Sequence, residues 1–388
     1  MKKLYETQSY LKETDTIITS CTPKDGHFLV TLQETIFFPE EGGQYADTGW
    51  LEWEGQSIRL LDGQLRDGEI YYTIEQELPA GAPVHCILNW EQRYMRMQQH
   101  TGEHILTGMI HNHYGYDNVG FHLSDDGPVT LDMNGTLTME QAMEMETLAN
   151  QVIYQNLPVT DTYPTKEGLA AITYRSKIEI DGQVRLITIG NIDTCACCAP
   201  HVARTGEVGL IKIVALQNYK GGIRISILCG MRALLHYREQ SALMNGLAAS
   251  LSTKPELVQE IVNNQREEIT ALRCKLASQA EKALLQQIEA LPEQPHACLF
   301  TEAHTPQNAV KNAFNTMTAR FPGFSAIFMG DDTNGYRYNA GSRSLDARDL
   351  GKQMRQTLDA KGGGSQEMIQ GKTTATRETI ITFFQTMQ

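Results

Sequence analysis

At 388 residues the chain has room for two or three domains of about 150 residues each. Hydrophobic residues make up 41% and charged residues 20%, which gives each domain a core to bury and excludes wholesale disorder. The net charge of −13 argues against a general nucleic-acid coat.

The opening MKKLYETQSYLKETD has two lysines with no apolar stretch behind them, so an export signal is not expected. Nor does any apolar run approach the roughly 18 residues that cross a bilayer. A soluble, cytoplasmic protein without membrane attachment is the expectation. Residues 1–90 carry 15 acidic against 6 basic side chains and read as short strands, HFLVTL, SIRLL and EIYYTI, separated by KDG, DGQ and RDGE turns. That spacing predicts an all-β unit, a small barrel.

From Trp90 the pattern becomes helical, and MEQAMEMETLANQVI predicts a second helix over about 138–157. Strand-like runs follow at VRLITIG, GLIKIVAL and IRISIL, so residues 91–230 read as an α+β domain. Within it, residues 200–236 hold five basic side chains against Glu207 alone, a stretch that a phosphate-bearing partner could meet. Ordinary variation along a sheet is the competing reading.

Residues 231–291 read as a helical stalk, with Ser252 and Thr253 expected to cap a new helix and Pro255 in its first turn. Val258, Val262, Gln265, Ile269, Leu272, Leu276, Gln279 and Ala283 follow a 4-3-4-3 spacing. Such a seam serves either a hairpin within one chain or a coiled-coil homodimer. LPEQP breaks the helix, and residues 292–388 form a further α/β unit with a glycine-rich loop before a helix.

The chemistry concentrates in two short motifs. In QQHTGEHIL, His100 and His104 stand four apart on a helix, hence on one face. In CACCAPHVARTGEVG, Cys197 and His201 have the same spacing. Either pair alone is weak, since about 0.2 to 0.3 such pairs arise by chance in a chain of this composition. Together they supply three imidazoles and one thiolate, a tetrahedral donor set suited to one zinc ion. His111 and His113, two apart, fall on different helix faces and read as surface residues.

With these motifs in view, the chain resembles the free-standing alanyl-tRNA editing proteins of the AlaX type, similar to the editing domain of alanyl-tRNA synthetase. The HxxxH helix, the CxxxH pair and the TGEVG run come in the family's order; where the synthetase commonly reads CGGTH, this chain has CCAPH. FFPEEGGQYADTG resembles the glycine motif of the preceding β-domain, and GGIRISILCGMRA the run that closes the editing domain. AKGGGSQEMIQG resembles the signature of the DHH-associated C-terminal domain. The likeness spans nearly the whole chain, which points to the long form.

The resemblance implies zinc-dependent, ATP-independent hydrolysis of the ester that joins serine or glycine to the tRNA for alanine. It implies that Gly42, Gly43 and Gln44 approach the editing pocket, where a bare GG pair would be a hairpin turn. It implies that Lys361, Gly362, Gly363 and Gly364 contact tRNA, where a flexible connection is the alternative. From the residues themselves, Glu103 is a candidate general base or an exposed helix glutamate. His122 is a pocket residue or a structural strand histidine. Asp193 is a hydrogen-bond partner for a ligand imidazole or part of a simple turn at NIDT.

Three other readings compete. HTGEH fits the H-x-x-E-H zinc peptidase signature, although that leaves Cys197 and His201 unused. Four protein ligands also suit a structural ion in a tRNA-binding module without turnover. Finally, threonyl-tRNA editing domains share the HxxxH and CxxxH arrangement, which admits another mischarged tRNA as substrate.

Overall fold

A computed structural model describes residues 1–176 and 182–387. The expected strand at VRLITIG is present over Leu186–Ile189. The described residues fall into two compact units, 1–243 and 244–388. Together they are mixed α+β, and none of the described helices is long and apolar enough to cross a membrane.

The first unit begins with a closed six-stranded antiparallel barrel. Its strands are β1 (Glu13–Lys24), β2 (His27–Leu32), β3 (Gly49–Trp53), β4 (Gln56–Arg66), β5 (Glu69–Ile74) and β6 (Pro83–Leu88), closed in the order β1-β2-β5-β4-β3-β6. Two of the three expected turns place Asp25-Gly26 and Asp67-Gly68 at positive φ, the conformation a tight hairpin requires, whereas Asp62-Gly63-Gln64 stays inside β4, paired with β5. Alternating residues such as Ile18, Val30, Leu51, Leu60 and Tyr72 fill the interior.

Helix α1 (Trp90–Tyr114) follows, capped by the Asn89 side chain and ended by Gly115 in the left-handed conformation. Its whole middle, from Gln99 to Ile110, is buried. One side meets a four-stranded sheet of β7 (Asn118–His122), β8 (Val129–Met133), β12 (Ile211–Tyr219) and β13 (Gly222–Cys229), ordered β12-β13-β8-β7. Gln99 fixes that contact through paired hydrogen bonds with the Cys229 backbone, at 2.9 and 2.8 Å. Helix α2 (Met139–Gln155) packs on α1 and β12 behind a Thr138–Gln141 capping box. A small sheet of β9 (Val159–Thr162), β10 (Leu186–Ile189) and β11 (Asp193–Ala196) leads directly into Cys197.

Two buried arginines tie the barrel to α1. Arg93 meets Asp47 and the Ile36 carbonyl, and Arg96 meets Asp125 and the Ala46 carbonyl. The three partners on the barrel side, Ile36, Ala46 and Asp47, flank the glycine motif, so these bonds hold residues 42–47 against the helix. Removing one partner of such a buried charge pair typically costs about 3–5 kcal/mol.

Helix α3 (Gly230–Ser250) contains the boundary between the units. Ser252 and Thr253 do not cap the next helix as expected. Their N–H groups instead close the end of α3 on the Ala249 and Ala248 carbonyls. Ser252 lies at φ 52, which turns the chain out of the helix. A short 3₁₀ turn at Pro255–Leu257 then starts α4 (Val258–Ala290).

In the second unit, five strands form one sheet: β14 (Ala297–Thr301), β15 (Ser325–Asp331), β16 (Gly335–Gly341), β17 (Lys361–Gly364) and β18 (Met368–Thr373), ordered β14-β15-β16-β18-β17. The end of α4 and α5 (Gln307–Arg320) cover one face with Leu284, Ile288, Val310 and Phe314. Helices α6 (Ala347–Leu358) and α7 (Arg377–Thr386) cover the other. The buried stripe of α4 is Ala277, Leu284 and Ile288, whereas Ile269, Leu272 and Leu276 of the heptad seam are about half exposed.

The glycine-rich run at 361–364 departs from expectation. It is an edge strand paired antiparallel with β18, not a loop leading into a helix. The physical reason is close approach: a Cβ on Gly362 or Gly364 would stand 2.1 or 2.2 Å from a β18 carbonyl oxygen.

Candidate metal centre

His100 and His104 project from one face of α1 toward the loop after β11, where Cys197 and His201 lie. The four ligand-type atoms are all within 4.8 Å of one another, and all three histidines are at least 95% buried. Cys197 Sγ lies 3.5 Å from His100 Nε2 and 3.4 Å from His201 Nε2. A tetrahedral ion with a thiolate at about 2.3 Å and imidazoles at about 2.1 Å would space sulfur and nitrogen about 3.6 Å apart. The donor set therefore fits zinc in chemistry and in size.

Each imidazole is held by its other nitrogen. His100 Nδ1 is 2.8 Å from Gln44 Oε1, His104 Nδ1 is 2.9 Å from Asp193 Oδ2, and His201 Nδ1 is 3.0 Å from Thr101 Oγ1. Amide and carboxylate oxygens accept, so Nδ1 carries the proton on His100 and His104 and the Nε2 lone pair faces the cluster. Such outer bonds fix tautomer and ring orientation in metal sites. Thr101 Oγ1 also accepts from the Val202 N–H, which leaves it seated beside His201.

The electrostatics favour a cation. Burial alone would push the Cys197 thiol up, but His100 and His201 outweigh it and hold the thiol well below its ordinary range. Burial lowers His201 to about 3, which keeps that ring neutral. Against burial, Glu103 and Asp193 raise His104 well above the usual imidazole value.

Asp193 is not a bare turn residue. Arg175 reaches it through Nε at 2.7 Å and a terminal nitrogen at 2.9 Å, and also meets Thr107. Burial would raise the Asp193 carboxyl, but His104 and Arg175 hold it below its ordinary value.

Glu103 is 2% exposed, which corrects the picture of a solvent-facing helix glutamate. The helix is buried on every side there, so position 103 has no water to face. Its Oε1 accepts from Asn118 Nδ2 and Thr107 Oγ1, and its Oε2 lies 3.6 Å from His104 Nε2. His122, by contrast, is exposed and packs edge-on to Tyr45. Strand alternation turns its neighbour Phe121 inward, where that ring packs tilted against His100 with centroids 4.7 Å apart.

The glycine motif arrives from the barrel side. Gly42 and Gly43 have φ of 62 and 84, between reciprocal backbone bonds of Glu41 and Gln44. Gly43 accepts from the Leu123 N–H, and a Cβ on it would stand 2.5 Å from the Phe121 oxygen. This approach delivers the fully buried Gln44 to His100. Lys361 and Gly362–Gly364 belong to the other unit. A cavity of about 460 Å³ opens on the Arg175 side of Asp193, bordered also by Asn118 and Cys195, and none of the four ligand-type residues lines it.

Arg175, Thr101 and Phe121 escape sequence reasoning. Thr101 follows a motif histidine and could have been noticed there. Nothing at Arg175 signals its partner 18 residues away.

Fold and cluster define the class first. Residues 184–226, which include Cys197 and His201, match the family described as threonyl and alanyl tRNA synthetase second additional domain. More particularly, the chain is similar to alanyl-tRNA editing proteins along nearly its whole length, and the resemblance read from the sequence is borne out. It is 27% identical to the alanyl-tRNA editing protein AlaX-L of Pyrococcus horikoshii, over 98% of this chain and 96% of that protein. It is 26% identical to the alanyl-tRNA editing protein Aarsd1 of Danio rerio, over 94% and 92%. With the alanine–tRNA ligase of Thermococcus kodakarensis it shares 30% identity over 74% of this chain, but spans only 33% of that ligase.

Proposed function

We propose that this protein is a trans-acting aminoacyl-tRNA deacylase that removes serine or glycine from the tRNA for alanine, without ATP and in the cytoplasm. One observation carries the reading. Three imidazole nitrogens and one thiolate converge, and every outer ring nitrogen is already held by an oxygen. His100, His104, Cys197 and His201 would hold one zinc ion. When bound, zinc supplies Lewis-acid charge for the ester carbonyl or for a water.

The chain's own residues do the remainder. Gln44, Asp193 and Thr101 keep the three rings in register. Glu103, beside His104 and anchored by Asn118 and Thr107, takes the proton from the attacking water as general base. Gly42 and Gly43 let the barrel's backbone approach the pocket.

Sparing alanine while accepting serine calls for a polar partner to the extra hydroxyl. We assign this chemistry to residues 91–230, with the barrel of residues 1–90 contributing the glycine motif. Residues 231–291 serve as a stalk that pairs two copies through the exposed seam. Residues 292–388 contact the tRNA, with Lys361 and Gly362–Gly364 among the contacts.

The number of protein donors favours one alternative. Four of them close a tetrahedral site, as in a structural ion that stabilises a tRNA-binding module. Single-turnover deacylation of Ser-, Gly-, Ala- and Thr-charged tRNA, with zinc measured in the same sample, decides between them. Release of serine or glycine with alanine spared supports editing. No release from any of the four by a zinc-loaded sample overturns it in favour of the structural ion. Release of threonine alone reassigns the substrate.

A further inference from the structure

We infer that Tyr10 is a positioning residue of the metal centre, acting on His201 through Glu207 and the backbone of Ala203. This rests on the reading of the cluster as a metal site. It also gives a task to the TGEVG run, Thr205–Gly209, which the proposed chemistry does not use.

His201 stands on an irregular stretch. Between β11 and a short 3₁₀ turn at Thr205–Val208 the chain runs outside helix and strand. No ladder fixes its backbone there, so each buried N–H must find a partner elsewhere. Four in succession find four different ones. Val202 donates to Thr101 Oγ1 at 3.3 Å, Ala203 to Tyr10 Oη at 2.8 Å and Arg204 to Glu207 Oε1 at 3.0 Å. Thr205 donates to the Leu157 carbonyl at 2.9 Å. The path of the loop that presents His201 is therefore set by these outside groups.

Tyr10 closes two of the four into one circuit. Its hydroxyl accepts from Ala203 and donates to Glu207 Oε2 at 2.5 Å, while the other oxygen of that carboxylate takes the Arg204 N–H. Burial and Glu207 raise the Tyr10 hydroxyl above its ordinary range, so it stays a donor. Hydrogen bonds to a carboxylate are roughly twice as strong as neutral ones.

Glu207 is also tied to α1. Its carboxylate accepts from Tyr94 Oη at 3.3 Å and its carbonyl from Gln98 Nε2 at 2.8 Å. Three donors on one side chain call for acceptors at both oxygens. A carboxylate supplies them, whereas an amide would turn an N–H toward one donor.

The segment before the barrel is itself held in place. Arg93 of α1 donates to the Ser9 carbonyl at 3.2 Å, and Ser9 Oγ donates to the His201 carbonyl at 3.5 Å. The Tyr10 ring packs tilted on Trp90 with centroids 5.5 Å apart, yet the residue is 38% exposed. Phenylalanine would pack on Trp90 equally well. The hydroxyl is what reaches the loop.

The test uses the full-length protein with Co²⁺ in place of zinc, because the visible bands of Co²⁺ report ligand geometry. Tyr10→Phe keeps the ring and removes the hydroxyl. Tyr94→Phe takes a hydroxyl from Glu207 but none from the loop backbone, and serves as the control. Cobalt spectra, zinc affinity by chelator competition and Tm of the metal-free protein are measured for each, and for Glu207→Gln.

Tyr10→Phe should change the cobalt bands and weaken zinc about tenfold, the lower end for a group outside the ligand shell. Tyr94→Phe should match wild type. Glu207→Gln should reproduce Tyr10→Phe, and the two combined should lose no more than either alone, since both break one circuit. A Tyr10→Phe protein with a lowered Tm but wild-type cobalt bands and zinc affinity would overturn the proposal, because packing alone predicts that result. An equal loss in Tyr94→Phe would overturn it too. A wild type that takes up no Co²⁺ would instead sink the metal reading, and this inference with it.

Discussion

The Nδ1 of His104 and the Oδ2 of Asp193 stand 2.9 Å apart across 89 residues of chain, and Arg175 grips the other side of the same carboxylate. A ring on α1 is thus aimed from a strand of a different sheet. Asp193→Asn keeps an acceptor for His104 but removes the charge that favours a cation in the cluster. Zinc affinity should fall about 10- to 100-fold. Competition with a chromophoric chelator measures it, and unchanged affinity would mean that the carboxylate does not tune the site.

The general-base role proposed for Glu103 can be tested apart from metal holding. Glu103→Gln retains the hydrogen-bonding shape beside Asn118 and Thr107, so zinc content should stay at the wild-type level. The single-turnover rate should fall about 10²- to 10⁴-fold, the usual contribution of a general base. A rate within twofold of wild type would remove Glu103 from the mechanism.

Gly43→Ala tests the delivery of Gln44. At φ 84, with a Cβ 2.5 Å from the Phe121 oxygen, alanine must displace either the turn or β7. The expected destabilisation is about 1–3 kcal/mol by urea unfolding. Editing should fall further than stability explains, because His100 loses its amide partner. Wild-type stability and activity together would show the turn to be permissive.

Asp125 gives a pH dependence. Burial would raise its carboxyl, but Arg96 and Gln92 lower it. A depressed folded value contributes stability that is fully present above the unfolded value of about 3.9 and is lost as pH falls through the folded one. Asp125→Asn should therefore lower Tm at pH 6, with a gap that narrows below pH 4. A gap that stays constant down to pH 2 would contradict the linkage.

The exposed seam of α4 carries the dimer proposal. Leu272→Glu with Leu276→Glu places charges where a coiled-coil interface would lie, and should convert a sedimenting dimer to monomer at micromolar concentration. A wild-type protein that already sediments as a monomer refutes the pairing.

Much of this protein was legible in its sequence because the signals are local. Turn dipeptides and alternation announced the barrel strands, since hairpin geometry is set by a few adjacent residues. The i, i+4 spacing of His100–His104 and Cys197–His201 declared two half-sites, because a helix puts such a pair on one face and a short loop keeps its two ends close. The physics that joins the halves is not local. That Gln44, Thr101 and Asp193 each take one imidazole, that Arg175 braces Asp193, and that Phe121 rather than His122 faces the cluster follow from which elements pack together. The burial of Glu103 came from the same source, since a helix face meets protein or water according to what folds against it. Likewise, the glycines at 362–364 name a close approach without saying to what. Only strand pairing showed that they form a sheet edge, with Lys361 opposite Lys372. Sequence determines periodicity, charge and ligand chemistry, because these reside in neighbouring residues. Tertiary structure decides partnership, because burial and cross-strand register depend on segments far apart in the chain.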